Sequence, residues 1–312
     1  MSKVIVGYGN PVYDVISTPA MRRDDRILSG CSTNACLAAA KLGEAAVLVG
    51  TVGADFAERL QEDLKHWGIE GHLFPAEETG GFSLIYDERG DRELGILGVA
   101  GQVPVTLSGA KEAAFILLGP ILGEVTVELA EALAEASDAP IMLDPQGLLR
   151  GMRNGKVTHE MTEDFRIVAG LSTVVKANEL ETEIVTGINA RLDPEGAVRK
   201  LYEYGCRIAV VTLAEAGSVI FDGNEIYIIP PYTTNAIDPT GAGDTYAAGF
   251  MVKYLEMPDK LIEVGCFASS VASVMVENSG PEFPLTRAEA DRRTEKLLNG
   301  SLELKFDFLK RE

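Results

Sequence analysis

Residues 238–251, DPTGAGDTYAAGFM, combine residue types that could hold a phosphoryl group and activate a hydroxyl. The glycine-rich turn favours a helix that begins near Asp244, and the backbone N–H groups at a helix start bind anions. Gly241, Ala242 and Gly243 have almost no side chain, so a phosphoryl group could approach those N–H groups closely. Asp244 could accept a proton from a substrate hydroxyl, and the helix dipole should keep its carboxylate ionised. The alternative is an ordinary turn with an acidic first-turn residue.

Three common catalytic motifs are missing from the sequence. Gly7-Tyr8-Gly9 follows a predicted strand, but Val12 occupies the position of the third glycine of a dinucleotide-binding turn. No glycine-rich turn leads into the Gly-Lys-Ser or Gly-Lys-Thr of a Walker A loop, and no GxSxG sequence occurs. A dinucleotide site, a Walker A loop and a nucleophile elbow are therefore not predicted.

Composition and charge exclude several classes of partner. The formal net charge of −19 argues against nucleic acid, because phosphate backbones are bound by clustered Lys and Arg. The longest apolar stretch, residues 113–122, is interrupted by Gly119 and Pro120 and is far shorter than the roughly 20 residues of a membrane span. We therefore expect no membrane partner. The N-terminal residues MSKVIVGYGN lack a signal-peptide pattern, which predicts a cytoplasmic protein.

The four cysteines and three histidines lack the paired CxxC or HxxxH spacing of metal sites. We therefore predict reduced structural thiols and surface imidazoles. These residues are Cys31, Cys36, Cys206, Cys266, His66, His72 and His159.

Short runs rich in Val, Ile and Leu alternate with stretches of helical periodicity, which is typical of βαβ units with a parallel sheet. The chain is therefore predicted to have an α/β fold in a single domain, residues 1–312. Residues 54–67 predict a helix whose apolar stripe faces the sheet. Residues 81–97 and 218–230 each predict a β-hairpin, and the first could form a small flap. The predicted strands cover residues 4–7, 46–50, 115–119, 141–144, 173–176 and 208–213.

All fourteen residues of 238–251 resemble the second signature of the ribokinase (phosphofructokinase B) family. The resemblance implies a three-layer α/β/α fold with a mostly parallel central sheet and a small β lid, formed here by about residues 12–30 and 79–101. It also implies transfer of the γ-phosphoryl group of ATP, with Mg²⁺, to a hydroxyl of a sugar, sugar acid, sugar phosphate or polyol. Asp244 would be the catalytic base, and Gly241, Ala242 and Gly243 would form the anion hole. The family also permits a monovalent cation beside the anion hole.

Two further segments resemble the substrate-binding elements of the family. Gly30 and Asn34, followed by Gly43 and Gly53, have the spacing of the first signature. By the same resemblance Asp14 is the carboxylate that binds paired hydroxyls of the substrate. Taken alone, Asn34 is as well explained as a helix cap, and Asp14 as a solvated loop residue.

The nucleotide-binding elements of the family also have counterparts. Asn178 and Glu181 match its NxxE element and would organise the waters and Mg²⁺ around the triphosphate. The alternative for this pair is a capping box at a helix start. Thr212 and Gly217 match the nucleotide-binding strand end and turn, although Ala214 stands where the family usually has glycine.

Specificity for the acceptor has to come from other residues. Arg22, Arg23 and Arg26 lie close together in a strongly acidic chain and could grip an anionic acceptor; the alternative is a solvated loop whose charges are offset by neighbouring aspartates. Asp144 and Arg150 resemble a strand end that faces the acceptor in the family, and their roles stay open.

The resemblance defines the reaction better than the acceptor. Two alternatives remain: a nucleoside kinase of the same family, which would need an apolar or aromatic wall for the base, and a catalytically silent sugar or nucleotide sensor. An exposed edge of the lid could pair with a second subunit, so a homodimer through the lid is a further expectation.

Overall fold

The computed structural model of the protein describes residues 3–22, 25–87, 92–153 and 156–309. Its strands in chain order are β1 (Val4–Tyr8), β2 (Val12–Thr18), β3 (Met21–Arg22), β4 (Ile27–Ser29), β5 (Ala45–Gly53), β6 (Ile69–Ala76), β7 (Gly81–Tyr86), β8 (Arg92–Gly98), β9 (Phe115–Leu118), β10 (Ile141–Leu143), β11 (Arg150–Arg153), β12 (Lys156–His159), β13 (Val174–Asn178), β14 (Ile208–Thr212), β15 (Ser218–Phe221) and β16 (Ile226–Ile229). Its helices are α1 (Cys31–Lys41), α2 (Ala57–Trp67), α3 (Val127–Ala136), α4 (Glu163–Leu171), α5 (Glu179–Thr186), α6 (Pro194–Tyr202), α7 (Ala242–Tyr254), α8 (Leu261–Val276) and α9 (Arg287–Leu309).

The larger sheet, which we call the main sheet, has the strand order β16-β15-β14-β13-β10-β9-β1-β5-β6. From β14 to β6 every neighbouring pair is parallel, whereas β15 and β16 form an antiparallel hairpin at one edge. All six strands predicted from apolar runs belong to this sheet, and the hairpin predicted for residues 218–230 is β15 and β16. The predicted α/β class is confirmed.

Helices cover both faces of the main sheet. α1, α2, α7, α8 and α9 contribute to one apolar core, and α3, α4, α5 and α6 contribute to the other. Strand residues alternate between the cores, as Ile5 and Val6 do in β1, because successive side chains of a strand point to opposite faces. Leu60 and Leu64 of the predicted helical stripe are buried in the first core. No helix in the described part of the chain is long and apolar enough to cross a membrane.

A second sheet, which we call the lid sheet, has the strand order β11-β12-β8-β7-β2-β3, with β4 paired to β2. β7 and β8 are antiparallel neighbours, which confirms the hairpin predicted for residues 81–97. Most of the predicted turn of this hairpin, residues 88–91, lies outside the described residues. Ile16, Phe82 and Leu84 pack in a third apolar cluster, so the lid sheet has its own buried face.

A hairpin that was not predicted extends the lid sheet. β11 and β12 pair with each other, and Lys156 of β12 lies opposite Gly95 of β8. The two strands read RGMR and KVTH and lack the alternating apolar pattern from which a strand is predicted. This hairpin adds a third chain segment to the two that were expected to form the lid.

The parallel strands β1, β10, β13 and β14 end at the same edge of the main sheet, beside the packed pair α1 and α7. In open α/β sheets, ligands bind in the crevice outside the carboxyl ends of the strands. A ligand site is therefore expected in the space between this edge and the lid sheet.

Candidate active site

A cleft of about 1500 Å³ lies between the lid sheet and the carboxyl ends of the main-sheet strands. Its walls include residues from β2, α1, β13, β14 and α7, which are far apart in the sequence. The structure therefore brings all the predicted site residues to one cavity. Those residues are Asp14, Gly30, Asn34, Asn178, Glu181, Thr212, Gly217, Gly241, Ala242, Gly243 and Asp244.

The start of α7 has the form expected of an anion-binding turn. Gly241 precedes the helix with a φ of 80°, a conformation that favours glycine, and a Cβ there would lie 3.1 Å from the side-chain nitrogen of Asn34. The N–H of Ala242 donates to the carbonyl of Pro239 over 3.2 Å. An incoming phosphoryl group would have to share or replace that bond, so the helix start is not fully open to an anion.

Asp244 lies in the first turn of α7 and accepts a hydrogen bond of 2.9 Å from Nδ2 of Asn34 in α1. Burial and the neighbouring charge of Asp144 raise the pKa of Asp244 above its ordinary value. These two effects act against the helix dipole, which was expected to keep the carboxylate ionised, and that expectation stays a prediction. The helix-cap alternative for Asn34 is wrong, because Gly30 precedes α1 and the Asn34 amide contacts Asp244 instead. A carboxylate with a raised pKa is better suited to accept a proton.

A buried ion pair joins the ends of β10 and β13. Nζ of Lys176 lies 2.8 Å from a carboxylate oxygen of Asp144, and both side chains are only 3% exposed. Burial lowers the pKa of Lys176, but the charges of Asp144 and Glu181 outweigh that effect and the net pKa is raised. A Cβ at Gly243 would lie 3.0 Å from this ammonium group. The structure therefore places the ammonium group of Lys176 beside the start of α7.

Lys176 was not predicted as a site residue. It lies in the strand VVKAN, and its only signal is a charged residue inside an otherwise apolar strand. A charge in such a position is almost always paired when the strand is buried. That rule would have identified Lys176 as a candidate but not its partner, which is 32 positions earlier in the sequence.

Cys31, at the start of α1, was also missed. Its Sγ and carboxylate oxygens of Asp144 and Asp244 all lie within 4.8 Å of one another. Burial, followed by the two aspartate charges, raises the pKa of the thiol well above its ordinary value, so it stays protonated and can donate to Asp244. All four cysteines are buried and unpaired by disulfides, which agrees with the predicted reduced thiols. One of them nevertheless lies at the candidate site.

Asp14 is a buried strand residue, so its interpretation as a solvated loop residue is wrong. It lies in β2 opposite Ile27 of β4, is 4% exposed, and accepts a hydrogen bond of 2.7 Å from the N–H of Phe82 in β7. Burial raises the pKa of Asp14 to about 6, although hydrogen bonds from Phe82 and Ser29 and the charge of Arg150 act in the opposite direction. Asp14 is therefore held rigidly at the junction of the lid sheet and the cleft.

Asn178 and Glu181 form the capping box that was one of the two alternatives for this pair. The Asn178 side chain accepts from the N–H of Glu181 over 2.9 Å, and Glu181 accepts in return from the N–H of Asn178 over 2.9 Å. Burial and the charge of Asp144 raise the pKa of Glu181. The capping box fixes a buried carboxylate at the wall of the cleft, where it still has lone pairs for a further partner.

Residues 17–288 match the pfkB family of carbohydrate kinases, which is more than half of the chain. The chain belongs to this family. As a pfkB-family protein it is a kinase, that is, a phosphotransferase.

Individual relatives agree with the family match. The chain is 28% identical to the cytidine kinase of Thermococcus kodakarensis over 72% of this chain and 78% of that protein. It is 27% identical to a nucleoside kinase of Methanothermobacter thermautotrophicus over 85% of this chain and 84% of that protein. Its structure is similar to that of a pyrophosphate-dependent kinase in the ribokinase family, with a TM-score of 0.80, 22% identity, and coverage of 92% of this chain and 99% of the other. The expected ribokinase-like fold is confirmed.

The pfkB-family turn after β14 has an unusual backbone in this chain. Ala214 has a φ of 46°, and it is the only non-glycine residue with a positive φ in the described ranges. That conformation explains why the family usually has glycine at this position. Gly217 keeps the family residue, with a φ of 93°, and a Cβ there would collide with the carbonyl of Ile229. The backbone of the turn is therefore kept despite the substitution.

The arginine-rich segment of this pfkB-family chain is described only in part. Arg23 and the side chain of Arg22 lie outside the described residues. Nε of Arg26 donates to the carbonyl of Tyr13 over 2.9 Å, and its guanidinium lies 5.1 Å from the centre of the Phe56 ring. Arg26 therefore packs against Tyr13 and against Phe56, the residue before α2, and does not line the cleft. Arg150 does line the cleft, and its Nη1 donates to the carbonyl of Ile121 over 3.2 Å.

Proposed function

We propose that this pfkB-family chain transfers the γ-phosphoryl group of ATP, with Mg²⁺, to a hydroxyl of a sugar, sugar acid, sugar phosphate or polyol. The proposal assigns the base to Asp244 and the anion hole to Gly241, Ala242 and Gly243. The observation that carries it is the position of the Asp244 carboxylate, which Asn34 orients at the start of α7 and in the same cleft as Asp14.

In the proposed step, Asp244 accepts the proton of the acceptor hydroxyl while that oxygen forms a bond to the γ-phosphorus. The bond from the γ-phosphorus to the bridging oxygen breaks, and ADP leaves. Negative charge on the moving phosphoryl group is stabilised by the N–H groups at the start of α7 and by the ammonium of Lys176. The raised pKa of Asp244 makes it a stronger base than an ordinary aspartate.

Asn178 and Glu181 are proposed to hold Mg²⁺ through its bound waters. Hard oxygen donors suit this ion, and Glu181 is a buried carboxylate whose pKa is raised by burial and by repulsion from Asp144. A nearby divalent cation would relieve that repulsion, so the residues fit the ion. When bound, Mg²⁺ neutralises charge on the phosphates of the donor.

A nucleoside is the second candidate acceptor, and one observation favours it. The lid sheet contributes Phe82, Leu84 and Leu94 to the cleft, and Ile121, which belongs to the same apolar cluster, also lines it. These side chains supply the apolar and aromatic wall that the nucleobase of a nucleoside requires. A sugar hydroxyl facing them would lose its hydrogen bonds with water. Relatives named as cytidine kinase and nucleoside kinase support the same acceptor.

The proposal is tested by measuring loss of donor and formation of phosphorylated product with panels of sugars, polyols, sugar acids and nucleosides. ATP and pyrophosphate should both be tried as donors, since a structurally similar kinase is pyrophosphate-dependent. We expect one acceptor class to raise donor consumption at least about tenfold above the rate without acceptor. A chain that binds these compounds and phosphorylates none of them would instead be the catalytically silent sensor.

Asp14→Asn should raise KM for the acceptor by about 10- to 100-fold with little change in KM for ATP, because a charged acceptor of hydroxyl hydrogen bonds is replaced by a neutral one. Steady-state kinetics with each substrate varied in turn measure both constants. Asp222→Asn, in the turn between β15 and β16, is the matched control and should change neither. Equal changes in the KM for the acceptor and the KM for ATP would show that Asp14 does not bind the acceptor specifically.

The same substitution should alter how stability depends on pH. The folded-state pKa of Asp14 is about 6, above its ordinary 3.8, so between these values the folded state binds more protons than the unfolded state. Stability from this group is therefore lost as pH rises from about 4 to 6. Asp14→Asn removes that loss and should raise the free energy of unfolding at pH 7 by up to about 3 kcal/mol. Urea unfolding at pH 4.5 and 7 measures the difference, and a variant that is destabilised equally at both values contradicts the argument.

A further inference from the structure

A hydrogen bond joins the lid sheet to the loop that leads into α7. The hydroxyl of Tyr86, the last residue of β7, lies 3.0 Å from the hydroxyl of Thr240, and either oxygen can donate. Both residues are only 8% exposed, and both line the cleft. Thr240 directly precedes Gly241. We propose that this bond is a latch that couples closure of the lid sheet to the geometry of the anion hole, with Tyr86 as a positioning residue; the proposal rests on the proposed function.

The Thr240 end of the latch is part of a rigid loop. Asp238 is fully buried, and its carboxylate accepts from the N–H of Thr240 over 2.9 Å and from the hydroxyl of Ser279 over 2.6 Å. The next residue, Gly241, supplies the carbonyl that accepts the N–H and hydroxyl of Thr245 in α7. A force on the Thr240 side chain is therefore passed through one peptide unit to the start of α7.

The Tyr86 end of the latch belongs to the strand that faces the acceptor. Phe82, four residues earlier on β7, donates its N–H to Asp14, and Leu84 lies between them on the same face. In this proposal Asp14 holds the acceptor beneath β7. Enclosure of the acceptor and the contact between Tyr86 and Thr240 therefore depend on the same movement of this strand. The latch closes when the strand lies over an acceptor, which favours transfer to that acceptor over transfer to water.

The first experiment compares Tyr86→Phe, Thr240→Val and the double variant with the unaltered chain, using the acceptor found in the screen. We measure the ratio of acceptor phosphorylated to donor consumed, together with kcat and both KM values. Loss of one hydrogen bond between neutral groups should lower kcat by about 2- to 10-fold and reduce the ratio, with KM for ATP unchanged. The double variant should be no worse than either single variant, because both remove the same bond.

Two controls separate the latch from a general loss of structure. Thr240→Ser keeps a hydroxyl at the same position, so its ratio of acceptor phosphorylated to donor consumed should equal that of the unaltered chain. Tyr8→Phe removes a buried tyrosine hydroxyl that donates to the carbonyl of Ser108 over 2.6 Å, outside the cleft, and should leave the ratio unchanged. If Tyr8→Phe lowers the ratio as much as Tyr86→Phe, or if the two latch substitutions act additively, the latch is wrong.

A second measurement does not depend on activity. Hydrogen exchange of the backbone amides of β7 and β8 should be faster in Tyr86→Phe and Thr240→Val than in the unaltered chain, because the lid sheet opens more often. Unchanged exchange together with an unchanged ratio overturns the latch and leaves the proposed function standing. Absence of phosphorylated product with every acceptor overturns the proposed function itself, and the coupling to transfer with it.

Discussion

Asp244→Asn should lower kcat by about 10²- to 10⁴-fold and leave the affinities for ATP and acceptor within a few-fold of the original values. Asparagine has nearly the same shape, and its side-chain oxygen can still accept the hydrogen bond from Asn34, so the loop and α7 should keep their positions. The substitution removes the group that accepts the proton. Steady-state kinetics measure kcat, and calorimetric titration measures both affinities.

The matched control for this substitution is Asp193→Asn. Asp193 caps α6 outside the cleft, and asparagine is an equally good cap, so this variant should keep full activity. Unchanged turnover of Asp244→Asn would remove Asp244 from the mechanism. A large loss of ATP affinity in that variant would assign Asp244 to donor binding instead.

Lys176→Met should destabilise the protein by about 3–5 kcal/mol and also strongly reduce turnover. The substitution leaves the buried carboxylate of Asp144 without its ion-pair partner, which is costly in an environment where both side chains are 3% exposed. It also removes the positive charge beside Gly243 and should raise the pKa of Asp244 further, because Lys176 holds that pKa down. Urea unfolding and kcat at several pH values measure these effects.

A double variant separates the structural role of Lys176 from its role in transfer. Lys176→Met with Asp144→Leu replaces the whole pair by apolar side chains and should recover most of the lost stability. It should not recover turnover, since the positive charge is still missing. Lys200→Met is the control for loss of a lysine, because its pair with Glu203 is exposed and its removal should change little. Recovery of turnover in the double variant would show that Lys176 is purely structural.

The central strands could be predicted because their apolar runs are strong local signals. The runs at residues 4–7 and 208–213 became β1 and β14 with ends displaced by only one residue. β11 and β12 could not be predicted in the same way, since both are short and largely polar and are held by pairing to β8. Their existence depends on a tertiary contact, which no local pattern encodes.

The part of the candidate site that is formed by contiguous residues could be predicted from the sequence. The turn Gly241–Gly243 and Asp244 form a contiguous motif, and the structure places it at the start of a helix in a cleft. The burial of Asp14 was not predictable, because it results from pairing of β2 with β7 nearly 70 positions later in the chain. Lys176 and Asp144 belong to no contiguous motif and become a pair only when β10 and β13 lie side by side.

The hydrogen bond between Asn34 and Asp244 spans 210 positions of the sequence. During synthesis at about 5–20 residues per second, roughly 10–40 s separate the appearance of the two side chains. Throughout that interval α1, which is apolar and buried along most of its length, lacks the helix that covers it. The nascent chain therefore exposes an apolar helix during that interval, and transiently exposed apolar surface of this kind promotes aggregation.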